Sequence, residues 1–198
     1  MNIACIVEGS GDVKAVPVLV RRIIHEIDPV APLTISAPAI RVSRSKLVKP
    51  GEIERAVMLA VLKNNGFGGV LVLVDADDDC PGTLGPQLLA RAKAARADMP
   101  MAVVLANHEY EAWFLASAAS LRGRQGLSET IEPPINPEGV RGAKEWLKNH
   151  MEGSRKYSET IDQLALTRHL DMQAARQAAS FDKLYRDLAR LIRELRPQ

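Results

Sequence analysis

The sequence predicts an α/β fold: a mostly parallel four-stranded sheet flanked by helices, with a C-terminal helical appendage. Three observations lead there. Short apolar runs alternate with longer helical patterns over the first 120 residues, and the intervening helices are long enough to serve as crossovers between parallel strands. The best strand, VLVLV at 70 to 74, is apolar throughout, as a strand buried on both faces is. At 198 residues and 46% hydrophobic content the chain can bury a full core, and one domain with an elaboration fits that length.

The elements follow in order. Residues 3 to 7 (IACIV) read as a buried strand, and GSGD turns into a helix with Asp12 near its N-cap. Val13, Val16, Leu19, Val20, Ile23, Ile24 and Ile27 then recur at helical spacing. LTISAPAIRV, 33 to 42, supports a second strand, at a sheet edge or broken because Pro38 lacks a backbone donor. GEIERAVMLAVLKN, 51 to 64, is an amphipathic helix leading to the strand at 70 to 74. A helix over 84 to 98 precedes the fourth strand, MAVVLA at 101 to 106. Residues 1–120 form the expected core and 121–198 an extension packed on it. Four glycines and three prolines between 122 and 142 predict a long irregular loop, followed by helices around 141 to 151, 157 to 169 and 180 to 195.

Charge and cysteine content narrow the functional classes. Lys and Arg number 26 against 24 acidic residues, a formal net charge of +2, so any nucleic-acid binding must come from local patches. Cys5 and Cys80 have no metal-ligand spacing and are read as free thiols of an intracellular protein. The N-terminus turns acidic after seven residues, which reads as a first strand rather than a signal peptide. No apolar run reaches the roughly 20 residues of a membrane span. The expectation is a soluble cytoplasmic protein with no membrane partner.

The chemistry concentrates where apolar strands meet acid. Ligands of open parallel sheets bind beyond the carboxyl ends of the strands, which here carry Glu8 after the first and Asp75 and Asp77 after the third. Crowded carboxylates repel one another unless a cation binds among them, and oxygen-only ligands suit Mg2+ or Mn2+. Asp78 and Asp79 read as solvated turn residues ahead of Cys80-Pro81-Gly82. In HEYEAW, 108 to 113, Glu109 and Glu111 are two apart, so only one faces the cleft; His108 reads as a surface histidine, and Trp113, Phe114 and Leu115 as core. RVSRSKLVKP, 41 to 50, places Arg41, Arg44, Lys46 and Lys49 on the same sheet edge, as a nucleic-acid grip or a solvated loop. Arg186, Arg190 and Arg193 alternate with Asp182, Asp187 and Glu194 and read as a solvated helix face.

A strand ending in Glu8-Gly9, with Asp12 four positions after the glutamate, followed two strands later by Asp75-Ala76-Asp77, resembles the Toprim domain of topoisomerases, primases and overcoming-lysogenization-defect (OLD) nucleases. NHEYEAWFLA at 107 to 116, SRKYSET at 154 to 160 and ASFDKLYRDL at 179 to 188 resemble later motifs of a bacterial Toprim-like family, so the resemblance spans nearly the whole chain. It implies a Rossmann-like Toprim core, Glu8 as acid or base and metal ligand, and Asp75 and Asp77 as the metal pair. It also implies Asp12 as a further metal carboxylate, although the nuclease pattern has the longer glutamate there. Glu111 is the favoured glutamate of its motif and Lys156 a catalytic lysine offsetting phosphate charge. The implied function is a Mg2+-dependent (or Mn2+-dependent) phosphodiester-cleaving nuclease acting on DNA, with RNA as the alternative. It would serve in phage defence beside a separate ATPase, since no Walker motif is present. Two other readings stand beside it. One is a non-catalytic Toprim-like binding or regulatory subunit. The other is a small-molecule phosphohydrolase, because VLVLVDADDD is similar to the Asp-x-Asp motif of haloacid-dehalogenase-like phosphatases, which usually lies on the first strand.

Overall fold

Along each inner strand, side chains alternate between two apolar layers, and this alternation sets the architecture. The computed structural model describes residues 1–196; the last two residues of the expected 121–198 extension lie outside the described residues. Strands β1 (Asn2–Val7), β2 (Thr34–Arg41), β3 (Gly69–Asp75) and β4 (Met101–Ala106) form one sheet in the order β2-β1-β3-β4, with every neighbouring pair parallel. Ile3, Cys5, Val7, Leu71, Leu73, Ala102 and Val104 face one layer, whereas Ala4, Ile6, Val70, Val72, Met101 and Val103 face the other. The α/β expectation therefore holds, with the sheet parallel throughout. β2 lies at the edge, where Pro38 removes no central hydrogen bond, and the register of β1 against β2 shifts between Ala4 and Ile6.

Crossover helices cover both faces. α1 (Asp12–Ile27) joins β1 to β2 and buries Val16, Leu19, Val20 and Ile23 on the first layer. After a short α2 (Arg44–Leu47), α3 (Glu52–Lys63) returns the chain to β3 and buries Ile53, Val57 and Val61 on the second layer. α4 (Pro81–Ala95) adds Leu88 and Ala92 to that layer and leads to β4; it starts three residues before the expected helix because Pro81 suits the first helical position. The chain thus leaves β1 toward β2 on one side and builds β3 and β4 on the other. The carboxyl ends of β1 and β3 flank the point where strand order reverses, the usual ligand crevice of such sheets.

The chain beyond β4 completes the first layer. α5 (Ala112–Ala116), α6 (Ala143–Asn149), α7 (Glu159–His169), α8 (Met172–Ala175) and α9 (Ala179–Glu194) contribute Trp113, Phe114, Leu147, Leu166, Phe181, Leu184, Leu188 and Leu191 to the same core as Ile3 and Leu71. Trp113 meets Phe181 edge-on at 5.2 Å between ring centroids, and its Nε1 donates 2.8 Å to Ser180 Oγ. The expected irregular loop is more ordered than its composition suggests. Arg124–Gly126 and Pro137–Gly139 form 3-10 turns, and Leu127 and Ile131 are buried. Cys5 and Cys80 are free thiols, and burial pushes Cys5 up to about 12. Among the described residues no helix is long and apolar enough to cross a membrane.

Candidate functional site

Strand direction delivers acids to the crevice, and the extension closes it. Glu8 follows β1, Asp75 ends β3, and Glu111 precedes α5; with Asp12, Asp77, Lys144, Glu159 and Gln163 they line one cavity of about 220 Å³. The structure thus brings together Glu8, Asp12, Asp75, Asp77 and Glu111, the five carboxylates singled out in the sequence. Three other polar groups of the cavity, Lys144, Glu159 and Gln163, come from α6 and α7.

Each acid is held differently. Asp12 is the first residue of α1, one position inside the expected cap. Its Oδ2 accepts the Gly9 N–H at 2.8 Å and its Oδ1 accepts Gln163 Nε2 at 2.8 Å, so this carboxylate pins the Glu-Gly-Ser-Gly turn to α7. Asp75 Oδ1 accepts the Tyr110 N–H at 2.8 Å. Glu111 is fully buried; Tyr157 donates its hydroxyl to Oε1 at 2.8 Å, and Oε2 has no hydrogen-bond partner. One buried oxygen of Glu8, Oε2, is also without a partner. Glu109 faces the neighbouring rim, where its Oε2 accepts the Lys144 N–H at 3.2 Å. That separation of Glu109 from Glu111 follows their spacing of two.

Burial and mutual repulsion make these groups reluctant anions. Desolvation first, then the charges of Glu111 and Asp12, raise Asp75 well above the usual carboxylate range. Burial likewise raises Glu8, with Asp77 and Asp12 adding to it, and raises Asp12 against its two hydrogen bonds. Glu111 is pushed up to about 7 by desolvation, although Lys144 and the Tyr157 hydroxyl act the other way. Burial alone would lower Lys144, but Glu111, Asp75, Glu159 and Glu109 outweigh it and hold the ammonium charged. Its Nζ stands 3.7 Å from Glu111 Oε2 and 3.6 Å from Glu159 Oε2.

The expected cations are placed otherwise. Lys156 is exposed and does not line the cavity. Its neighbours are both anchored, Arg155 on the buried Asp162 and Tyr157 on Glu111, and the extended segment leaves Lys156 facing out. Lys144 holds the cationic position instead. Arg44 turns into the acidic rim, 3.3 Å from Asp77 Oδ2 and paired also with Asp79. Arg41 Nε donates 3.1 Å to the Glu8 carbonyl, while Lys46 and Lys49 are exposed. The basic segment is therefore half committed to the rim. Asp78 pairs with Arg141, and His108 Nδ1 meets the Asp77 carbonyl at 2.7 Å, both peripheral to the cavity.

A family profile described as a domain of unknown function, DUF4276, matches residues 7–189. The chain belongs to that family. The DUF4276 match covers every cavity residue named above, from Glu8 to Gln163. No curated protein and no solved structure matches the chain.

The donor set suits a hard cation. Every lining acceptor is oxygen, and two buried carboxylate oxygens, on Glu8 and Glu111, have nothing to accept from. Among the described residues no group of three or more His, Cys, Asp or Glu is arranged to hold an ion by itself. The carboxylates ring the cavity, with Lys144 against Glu111 and Glu159 and Arg44 against Asp77.

Proposed function

We propose that this chain is a Toprim-like, divalent-metal-dependent phosphodiesterase, with DNA as substrate. The observation that carries the reading is the ring of Glu8, Asp12, Asp75, Asp77, Glu111 and Glu159 around one cavity at the reversal of strand order, with two buried carboxylate oxygens unpartnered. Glu8, Asp75 and Asp77 are the residues that would hold Mg2+ or Mn2+, with Glu111 beside them facing the Lys144 ammonium. When bound, such an ion supplies Lewis-acid charge at a phosphoryl oxygen and acidifies water. Glu8, raised above the ordinary carboxylate range by burial, is the group placed to hold or move a proton. The Lys144 ammonium supplies a fixed positive charge against a phosphate. A cavity of about 220 Å³ has room for an ion and a phosphoryl group, and a polymeric substrate must extend beyond it. Exposed Lys46, Lys49 and Lys156 offer contacts to a polymer backbone there. A cytoplasmic role in phage defence beside a separate ATPase extends this proposal from the family resemblance.

Manganese calorimetry joined to a cleavage assay tests it. The parent chain should bind Mn2+ and nick DNA; Asp75→Asn and Asp77→Asn should lose the metal, and Glu8→Gln should cut at least about 10²-fold more slowly. Metal binding unchanged in both aspartate variants would remove the metal site. Mn2+ binding without cleavage of any nucleic acid or small phosphate ester would favour the second reading, a non-catalytic binding or regulatory subunit. Arg44 favours that reading in one respect, since it already neutralises Asp77 and Asp79 at the mouth. Cleavage of small phosphate esters alone would point to the phosphohydrolase.

A further inference from the structure

The cavity has an inner and an outer half, and different cations serve them. In the inner half, Lys144 Nζ lies 3.7 Å from Glu111 Oε2 and 3.6 Å from Glu159 Oε2. Glu111 is fully buried and that oxygen has no hydrogen-bond partner, so the carboxylate is aimed at a charge rather than at a donor in contact. The backbone fixes the lysine from behind, because its N–H bonds to Glu109 Oε2 and α6 begins at the preceding position, Ala143. In the outer half, Asp77 is exposed beside Arg44, and Glu8 keeps one buried oxygen free.

Two-metal phosphoryl-transfer centres hold their ions about 3.5–4 Å apart, each neutralising one reacting oxygen. A second ion against Glu111 and Glu159 would fall within a similar distance of the Lys144 ammonium and be repelled by it. Resting on the metal-dependent reading above, we propose that Lys144 is a built-in second cation: it occupies the inner carboxylates and limits the centre to one divalent ion, held between Glu8, Asp75 and Asp77. The phosphate then meets one exchangeable ion and one fixed ammonium. An ammonium brings one charge where an ion brings two, and it cannot dissociate at low metal concentration.

Counting manganese separates this from a two-metal centre without reference to activity. Calorimetric titration of the parent chain should give one Mn2+ per chain, and its electron paramagnetic resonance spectrum should show isolated ions. Lys144→Met, similar in length but uncharged, should admit a second ion, seen as a stoichiometry of two and dipolar broadening from the neighbouring Mn2+. Lys144→Gln should do the same and covers the case in which the methionine variant folds poorly; Lys144→Arg should keep one ion. Two ions in the parent, or one ion in both uncharged variants, would overturn the proposal. A parent that binds no Mn2+ would overturn the metal-dependent reading itself, an outcome distinct from a wrong count.

Discussion

At the scale of single residues, burying Glu111 has a consequence for stability. Its carboxyl is pushed up to about 7 from an ordinary 4.5, with desolvation the largest cause. Between those two values the folded chain holds a proton that the unfolded chain has released, so stability falls as pH rises through the window. Below pH 4.5 both states are protonated and the full benefit is present; above about 7 it is gone. At roughly 1.4 kcal/mol per pH unit the effect is at most about 3 kcal/mol, which for a chain of this size is several degrees in Tm. Glu111→Gln keeps an oxygen for the Tyr157 hydroxyl and removes the titration. In the presence of chelator its Tm should match the parent near pH 4.5 and exceed it by several degrees near pH 8. Parallel Tm profiles would mean that Glu111 ionises without cost.

At the scale of elements, the strands and their acids were legible while the partners brought by α6 and α7 were not. The continuous apolar runs of the inner strands and the strand-end position of Glu8 and Asp75 are local properties, so they identify the crevice from the sequence. Lys144 and Glu159 reach the site only through packing of the extension, and amphipathic spacing does not say where a helix docks. Glu159 lay inside the SRKYSET motif and in the first turn of α7, yet Lys156 was the more conspicuous charge; only the anchoring of Arg155 and Tyr157 shows which residues of that segment turn inward. One signal was present in the glycines. A Cβ on Gly9 would lie 2.6 Å from Glu159 Oε1, and one on Gly11 would lie 2.7 Å from the Glu159 carbonyl oxygen. The second contact is with backbone, so α7 itself must move. Gly11→Ala should therefore weaken the Gly11 N–H to Glu159 Oε1 bond, 3.1 Å, and the Gln163–Asp12 bond, lowering stability by about 1–3 kcal/mol as overpacking does. Denaturant midpoints would check this. An unchanged midpoint would show that α7 is free to shift.

At the scale of the whole molecule, the extension behaves as a structural half of the domain. The apolar face of α9 places Phe181, Leu184, Leu188, Leu191 and Ile192 against the layer that also holds Ile3, Leu71 and Val104. α7 adds Leu166, and both helices pack on the same layer as Trp113 and Phe114 of α5. No other element covers that side of β3 and β4, because α3 and α4 pack on the opposite layer. A fragment ending at residue 120, the boundary drawn from composition, would keep all four strands, α1 and α5 but expose to water the part of that layer that α7 and α9 cover. The loss exceeds the net stability of a domain: fully burying one Leu or Phe is worth about 1.5–3 kcal/mol, and net stabilities are about 5–15 kcal/mol. The fragment would also lack Lys144, Tyr157, Glu159 and Gln163, so the cavity would lose its inner wall and its fixed cation. Fragment 1–120 should accordingly show no cooperative thermal transition and should bind a hydrophobic dye, and Mn2+ should not rescue it. A milder cut in the same interface, Leu188→Ala, should cost about 2–5 kcal/mol in the full chain while leaving Mn2+ stoichiometry unchanged, since Leu188 lines the core and not the cavity. A fragment 1–120 that unfolds cooperatively would make the extension an addition to a self-sufficient core, and the cavity would then have to work with the carboxylates of β1, β3 and the residues before α5 alone.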